Sequence, residues 1–373
     1  MFLTLTQPAK RAALLCALSL SFATLVSTGA SAFHARAQSR NANDASDSER
    51  FERGKRLLNV GDAKGAAAEL KPVAESRKTD ADAWYLFGVA LSRSGDNKEA
   101  RKAFEKSLKL RPSDAATHVG LAYTLLTLGK RSDAAVEAQR ALALDARIAE
   151  AHYVVGAALY RDNKFKEAED EAEAALRIKP TLGAAAYLAA DSLMALYFDE
   201  SEQQAALHPA PPYALDEQRR AAYAERESVL EPIRERMRET ANRLEALADA
   251  QSANPDAALW REQASSMRLY GRAEGFKGSD TYRLSEVDAR AVILSKPEPG
   301  YTGDAATNHT TGVVKLRAVL AADGRVRNIA VVRSLPDGLT ELCVRAARRI
   351  RFKPAVKNSH PVSQYVTLEY HFQ

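Results

Sequence analysis

At 373 residues the chain is long enough for two or three domains of ordinary size and too long for a single compact module. Hydrophobic residues make up 46% and charged residues 27%, with a mean hydropathy of -0.34, which excludes both a polytopic membrane protein and a disordered chain. The net charge of +5 is unevenly spread: 14 basic and 8 acidic residues follow from Tyr282 onward, whereas residues 33 to 281 hold 37 basic and 40 acidic. Such asymmetry points to two modules with different partners.

The first 32 residues read as an export signal. Lys10 and Arg11 precede an apolar run of 15 residues, Ala12 to Val26, and Ala30-Ser31-Ala32 supplies a small-residue cleavage site, so the exported chain is expected to begin at Phe33. The run falls short of the roughly 20 residues that span a bilayer; a weak anchor is the alternative. Once Cys16 leaves with the leader, Cys343 is the one remaining cysteine, and no intramolecular disulfide can form. Cys343 sits in the apolar run Leu339, Leu342, Cys343, Ala346, Ala347, Ile350, as a small buried hydrophobe would.

A spacing of 34 residues organises the next segment. Trp84, Phe87, Gly88, Leu91, Ala100, Phe104 and Pro112 recur as His118, Leu121, Ala122, Leu125, Ala134, Ala138 and Ala146, and again as His152, Val155, Gly156, Leu159, Ala168, Ala172 and Pro180. A weaker copy precedes them at Gly54, Leu57, Ala66 and Leu70. The pattern resembles the tetratricopeptide repeat: a small residue where two helices cross, a large apolar neighbour, and a proline after the second helix. The resemblance implies an all-α solenoid of helical hairpins whose first helices build a concave binding surface. On that geometry Tyr85, Val89, Arg93, Val119, Tyr123, Thr127, Tyr153, Tyr160 and Arg161 line the surface. Tyr85, Arg93, Tyr123, Tyr153, Tyr160 and Arg161 are its candidate contacts for an extended peptide, through aromatic area and charge-assisted hydrogen bonds. Burial against the following helix is the alternative for these side chains. The lysine and asparagine that some such repeats use to clamp a C-terminal carboxylate are replaced by Tyr85 and Val89.

No catalytic chemistry is legible. The chain lacks Cys or His pairs at metal-ligand spacing, a G-x-x-x-x-G-K-[ST] loop and a G-x-S-x-G elbow, so no catalytic, metal or cofactor site is expected. His118 and His152 share the phase of Trp84, which assigns them to the hairpin interface rather than to a metal.

Residues 183–198 continue one more helix in phase, and His208 to Pro212 break the chain with three prolines. Beyond the break, Leu230, Ile233, Met237, Leu244 and Leu247 form one apolar helical stripe that needs a partner surface, either the repeats or a second copy in a coiled-coil dimer. Asn254-Pro255-Asp256 predicts an N-cap and N1 proline opening a last helix with Trp260, Met267 and Tyr270.

From Val292 the pattern changes to alternation. Strands are predicted over Thr311 to Ala321 and Arg325 to Ser334 around the turn Asp323-Gly324, then a helix from about Leu339 to Arg349, then a final strand through Val362, Gln364, Val366, Leu368, Tyr370 and Phe372. Lys296 to Thr302, Thr311 to Leu339, Arg351 to Ala355 and Pro361 to Phe372 together resemble the C-terminal domain of the TonB family. That resemblance implies a small α+β domain that pairs, as an added strand, with a short box of an outer-membrane receptor. It therefore implies a periplasmic location after signal cleavage, or an inner-membrane anchor facing the periplasm. Pro299, Tyr301, Tyr365 and Thr367 are the candidate contacts there. Departures are Tyr301-Thr302 in place of the family's Tyr-Pro, no histidine in residues 12 to 32, and a repeat array in place of a proline-rich spacer. The basic cluster Arg345, Arg348, Arg349, Arg351 and Lys353 fits an anionic envelope surface or a solvated helix face.

The expected organisation is thus a leader over 1–32, tetratricopeptide repeats over 47–200, a helical connector over 201–280 and a TonB-like domain over 285–373. The expected role is a non-catalytic interaction protein whose partners are proteins or peptides, including box-like receptor segments in energy-coupled transport, with no nucleic acid and with a dimer through the connector as a variant. A repeat-based scaffold for assembling envelope proteins is the alternative.

Overall fold

A computed structural model of the chain describes residues 46–209, 216–272 and 280–373. The expected leader, Pro211 and Pro212 lie outside these residues. Residues up to Arg111 form one compact unit, and those from Pro112 onward form a second.

The first unit is two helical hairpins: α1 (46–59) with α2 (Ala63–Ser76), and α3 (Ala81–Ser94) with α4 (Asn97–Leu110). Leu58, Ala66, Leu70 and Ala90 form a core against which Phe51, Leu57 and Phe87 pack. The small residues of the repeat sit where helices cross: a Cβ on Gly54 would stand 2.5 Å from the Leu70 side chain, and one on Gly88 would stand 2.8 Å from Phe104.

The second unit continues the hairpins with α5 (Ala115–Thr127), α6 (Arg131–Leu144), α7 (Ala149–Arg161) and α8 (Phe165–Ile178). The turn inside each hairpin carries a left-handed residue at Gly61, Gly95, Gly129 and Asn163, again 34 apart, because the chain must reverse there within three residues. Ring nitrogens at the shared Trp/His phase all donate to a carbonyl six residues earlier: Trp84 to Lys78 at 3.2 Å, His118 to Pro112 at 2.9 Å, His152 to Ala146 at 3.3 Å. The second nitrogen of each histidine meets a carboxylate, Glu137 at 2.6 Å and Glu171 at 2.7 Å. Both histidines therefore stitch loops to helices.

Helix α9 (Gly183–Leu207) has 25 residues against the 13 or 14 of its predecessors, so its second half projects beyond the repeat. Helix α10 (Asp216–Ala250) lies antiparallel to α11 (Ala257–Tyr270) and also packs on α9, burying Leu230, Met237, Leu244 and Leu247. The stripe is consumed within the chain and is not a seam between copies. Arg236 pairs with Glu169, and Arg243 with Glu173 at 2.7 Å, which fixes α10 on α8. The last helix starts later than its sequence suggests: Asn254 accepts from Asp256 N at 2.9 Å and closes a turn, and Asp256 precedes the first helical residue.

The C-terminal module holds a sheet ordered β1 (Thr281–Tyr282), β7 (His360–Phe372), β3 (Gly312–Leu320), β4 (Val326–Arg333), with β2 (Val292–Ser295) paired to β5 (Arg351–Lys353), and β6 (Ala355–Lys357) paired to β7. Helix α13 (Leu339–Arg348) covers one face, where Leu339, Cys343, Ala346 and Ala347 meet Val314, Leu316, Leu368 and Tyr370. A short helix, α12 (Gly303–Thr307), begins where the family pattern would have a proline: Thr302 Oγ1 accepts from Ala305 N at 3.0 Å and donates to Asp337 O at 2.6 Å. The architecture is an all-α repeat solenoid followed by a small α+β module. Among the described residues no helix is long and apolar enough to cross a membrane.

A Cβ on Gly156 would meet the Ala168 carbonyl oxygen at 3.1 Å and Leu188 at 3.1 Å. Backbone cannot yield as a side chain can, so Gly156→Leu is expected to cost about 3 kcal/mol and Gly156→Ala clearly less, read from urea unfolding of the whole chain. Burial pushes the Cys343 thiol up to about 12. The native protein is expected to resist iodoacetamide at pH 8 and to react once unfolded, as followed by mass spectrometry.

Candidate functional site

A sheet has two outer edges, and the two here have different fates. On β4, the register against β3 slips between Arg317 and Val319, leaving Asn328 bulged with φ 50°. The bulge turns both its carbonyl and its amide toward α11: Asn328 O accepts from the Tyr270 hydroxyl at 2.8 Å, and Asn328 Nδ2 donates to Ser266 Oγ at 3.1 Å. Just beyond β4, Ser334 donates to Asn163 Oδ1 at 2.9 Å. The projecting half of α9 adds Glu202, 2.7 Å from Lys315 Nζ, and Phe198, whose ring lies 4.6 Å beneath the Arg317 guanidinium. Arg161 reaches Glu341 at 3.2 Å, and Arg348 reaches Glu262 at 3.2 Å. This edge is closed by the helices.

On β7 the arrangement is reversed. Its start is paired with β6 through Val362 and with β1 at Ser363 and Gln364, but residues 366–372 have β3 as their one strand partner among the described residues. The Glu369 carbonyl accepts from Lys296 Nζ at 2.6 Å and so points away from β3, and by alternation Thr367 and His371 direct their amides and carbonyls the same way. Tyr365, Val366 and Thr367 also line a cleft of about 480 Å³ walled by Tyr197, Glu202, Arg226, Arg283 and Arg317. Its floor is Tyr197 above the buried Arg234, which is paired with Glu227 and Glu231.

The candidate side chains divide accordingly. Tyr301, Tyr365 and Thr367 belong to one feature: Tyr365 and Thr367 lie along β7, and Tyr301 stacks 5.9 Å from Phe372 at its far end while donating to Thr310 O. Pro299 lies between Lys296 and Tyr301, half-buried. Among the repeat residues, Tyr123 is 50% exposed and Tyr153 is its half-buried neighbour, with a hydroxyl pKa raised by burial and then by Tyr123. Tyr160 is half-buried, its ring 5.5 Å from Phe165 of the next helix, and Arg161 is half-buried and engaged by Glu341. In the first unit Tyr85 lies 6.1 Å from Phe104, and Arg93 donates to Leu58 O at 3.2 Å.

The residues that close the β4 edge were missed by sequence reasoning. Asn163 carried a usable signal, because it stands where three earlier turns have glycine. Asn328, Ser266 and Glu202 carried none, since their partners lie 62 to 113 residues away.

The family model for the Gram-negative bacterial TonB protein C-terminal matches residues 297–373, and that for the tetratricopeptide repeat matches residues 51–115 and 119–182. The chain is a tetratricopeptide-repeat protein with a TonB-family C-terminal domain. No curated protein matches it. Among solved structures, MamA from Desulfovibrio magneticus RS-1 is 20% identical, covering 50% of this chain and 94% of that one with a TM-score of 0.37. A further MamA structure is 17% identical, covering 55% and 96% with a TM-score of 0.39. YrrB, "a TPR protein with an unusual peptide-binding site", is 24% identical over 39% of this chain and 75% of its own, with a TM-score of 0.33. The TonB-family domain and the repeats are both interaction modules without catalytic machinery of their own, and the domain is one associated with the cell envelope. Among the described residues no group of three or more metal-ligating side chains comes together.

One carboxyl near the seat of the TonB-family domain has its protonation shifted by burial. The Asp191 carboxyl accepts from Gln263 Nε2 at 2.5 Å and lies near Tyr160 and Tyr187, and burial raises its pKa to about 7. In the folded state it stays protonated while the unfolded chain ionises near pH 4, so stability falls as pH rises from about 4 to about 7. The thermal midpoint is expected to drop between pH 5 and pH 8, and Asp191→Asn is expected to remove that part of the drop in differential scanning calorimetry.

Proposed function

We propose that the protein is a periplasmic, non-catalytic adaptor. Its TonB-family domain captures an extended segment of an envelope or outer-membrane receptor by strand addition to β7, in energy-coupled transport across the envelope. The observation that carries the reading is the bare stretch of β7 from Val366 to Phe372, beside an opposite edge already closed by helices. A strand laid there would bond to Thr367, Glu369 and His371 through main-chain groups, which gives affinity with little demand on sequence. The Lys296 ammonium on Glu369 O is a single side-chain contact that an incoming amide could replace. The Ala12 to Val26 run, read as a cleaved signal, supports the location.

A second reading, a scaffold for assembling envelope proteins, is favoured by one observation: the exposed Tyr123 beside Tyr153 on the first helices of adjacent repeats. There the repeats would hold the partner and the sheet would only dock.

Extended synthetic peptides from receptor N-terminal segments separate the two in a calorimetric titration of the whole chain. Thr367→Pro removes one outward donor and is expected to weaken binding roughly tenfold or more, while Thr367→Val keeps the backbone and is expected to bind like wild type. Circular dichroism must first show that both variants are folded. Equal affinity for the two variants would exclude β7 as the docking edge, and a loss confined to Tyr123→Ala would favour the scaffold.

A further inference from the structure

The end of α13 and the adjoining strand β5 gather a cluster of cations. Arg345, Arg349, Arg351 and Lys353 are all exposed, and among the described residues none of their side chains makes an ion pair or hydrogen bond. Arg348, in the same helix, is by contrast neutralised by Glu262. Arg345 and Arg349 stand four residues apart at the end of α13, where like charges repel across one helical turn. The helix C-terminus favours cations in its last turn, but that does not account for Arg351 and Lys353, which lie on β5.

The same region carries exposed aliphatic surface. Strand β2 reads Val292-Ile293-Leu294, and the three residues are 50%, 41% and 58% exposed. The register puts Val292 opposite Lys353 and Ser295 opposite Arg351, so cations and aliphatics share the two-stranded β2–β5 ribbon. Three successive exposed aliphatics are unusual on a soluble surface and mark an interaction site. Two clefts among the described residues, one beside Tyr197 and Tyr365 and one beside Trp84, are lined by other residues. A peptide carboxylate would want a fixed fork of donors or a groove to enter. A layer of phosphate headgroups over an acyl phase would want what is here, dispersed cations with short apolar side chains between them.

We propose that the β2–β5 ribbon is a membrane-contact surface that docks on anionic lipid. Arg345, Arg349, Arg351 and Lys353 pair with headgroup phosphates, and Val292 and Leu294 enter the headgroup layer. This surface is separate from the outward edge of β7 and does not depend on strand addition there.

Co-sedimentation of the whole chain with vesicles tests the proposal, using phosphatidylcholine alone or mixed with phosphatidylglycerol. Wild type and variants share every other segment, so the difference between them reads this patch. Wild type is expected to bind the mixed vesicles in preference and to release as salt rises. Arg351→Glu with Lys353→Glu is expected to lower binding by more than about tenfold. Val292→Ser with Leu294→Ser is expected to lower it with the salt dependence retained. Both pairs are exposed, and matching thermal unfolding curves keep the comparison valid. No preference for the anionic vesicles, or binding unchanged by the charge reversal, overturns the proposal. It is also overturned if vesicles are not bound while sedimentation shows that wild type self-associates and the serine pair does not, because the patch would then join copies of the chain.

Discussion

The bulge at Asn328 is the constraint on which the second unit depends. An outer strand presents unpaired amides and carbonyls, and any chain of the right length can satisfy them. Here the register slip rotates one residue of β4 out of the ladder, and its carbonyl and side-chain amide are taken up by Tyr270 and Ser266. The Asn328 carbonyl is thus committed to a side chain of a helix and is no longer open to an incoming strand. Around that point the other contacts add specificity more than strength. Arg161 with Glu341 and Arg348 with Glu262 are partly exposed pairs, each worth about 0–1 kcal/mol, while Tyr270 is buried and the Arg317 guanidinium lies over the Phe198 ring.

This explains why α9 is long. A repeat hairpin needs 13 or 14 residues per helix, and α9 has 25. The extra turns bring Phe198 and Glu202 to β3, where they hold Arg317 and Lys315. The last helix of the array therefore serves twice, as a repeat helix through Leu188 and Leu193 and as a strut for the sheet through its second half. Helices α10 and α11 complete the wall, and the apolar stripe of α10 is spent in doing so.

The parts of this fold that were legible in the sequence are those set by local periodicity. The repeat phase followed from Gly88, Phe104 and their copies, because two helices can cross closely only where a side chain is missing. The β3–β4 hairpin followed from Asp323-Gly324, since Gly324 takes φ 82° in its turn. What stayed hidden was set by distant partners. Strands β1, β2, β5 and β6 have two to four residues each, too few for alternation to register. Asn254 looked like a helix cap because its side chain does accept a backbone amide, but it does so two residues on, inside a turn. Tyr160 and Arg161 fitted the family's open surface by phase, and each also contacts a residue the phase does not reveal, Phe165 and Glu341. Asn163 shows how such a site becomes visible: where a repeat breaks its own rule while keeping the left-handed turn, the new side chain has been recruited for something outside the repeat.

The asymmetry between the two edges also follows from the chain's order. Strand β4 is followed by a loop and helix that turn back over the sheet, so it lies next to helices that were folded before it in sequence. Strand β7 is the last element, and the segments beside it, β1 and residues 289–296, reach it through a two-residue pairing, the Gln364 side chain and the Lys296 ammonium. A strand added at Thr367 would therefore compete with one ammonium rather than with a ladder, whereas one added at β4 would have to break the Tyr270, Ser266 and Asn163 contacts together. The sheet is open on one side because the other side is the one that joins it to the helices.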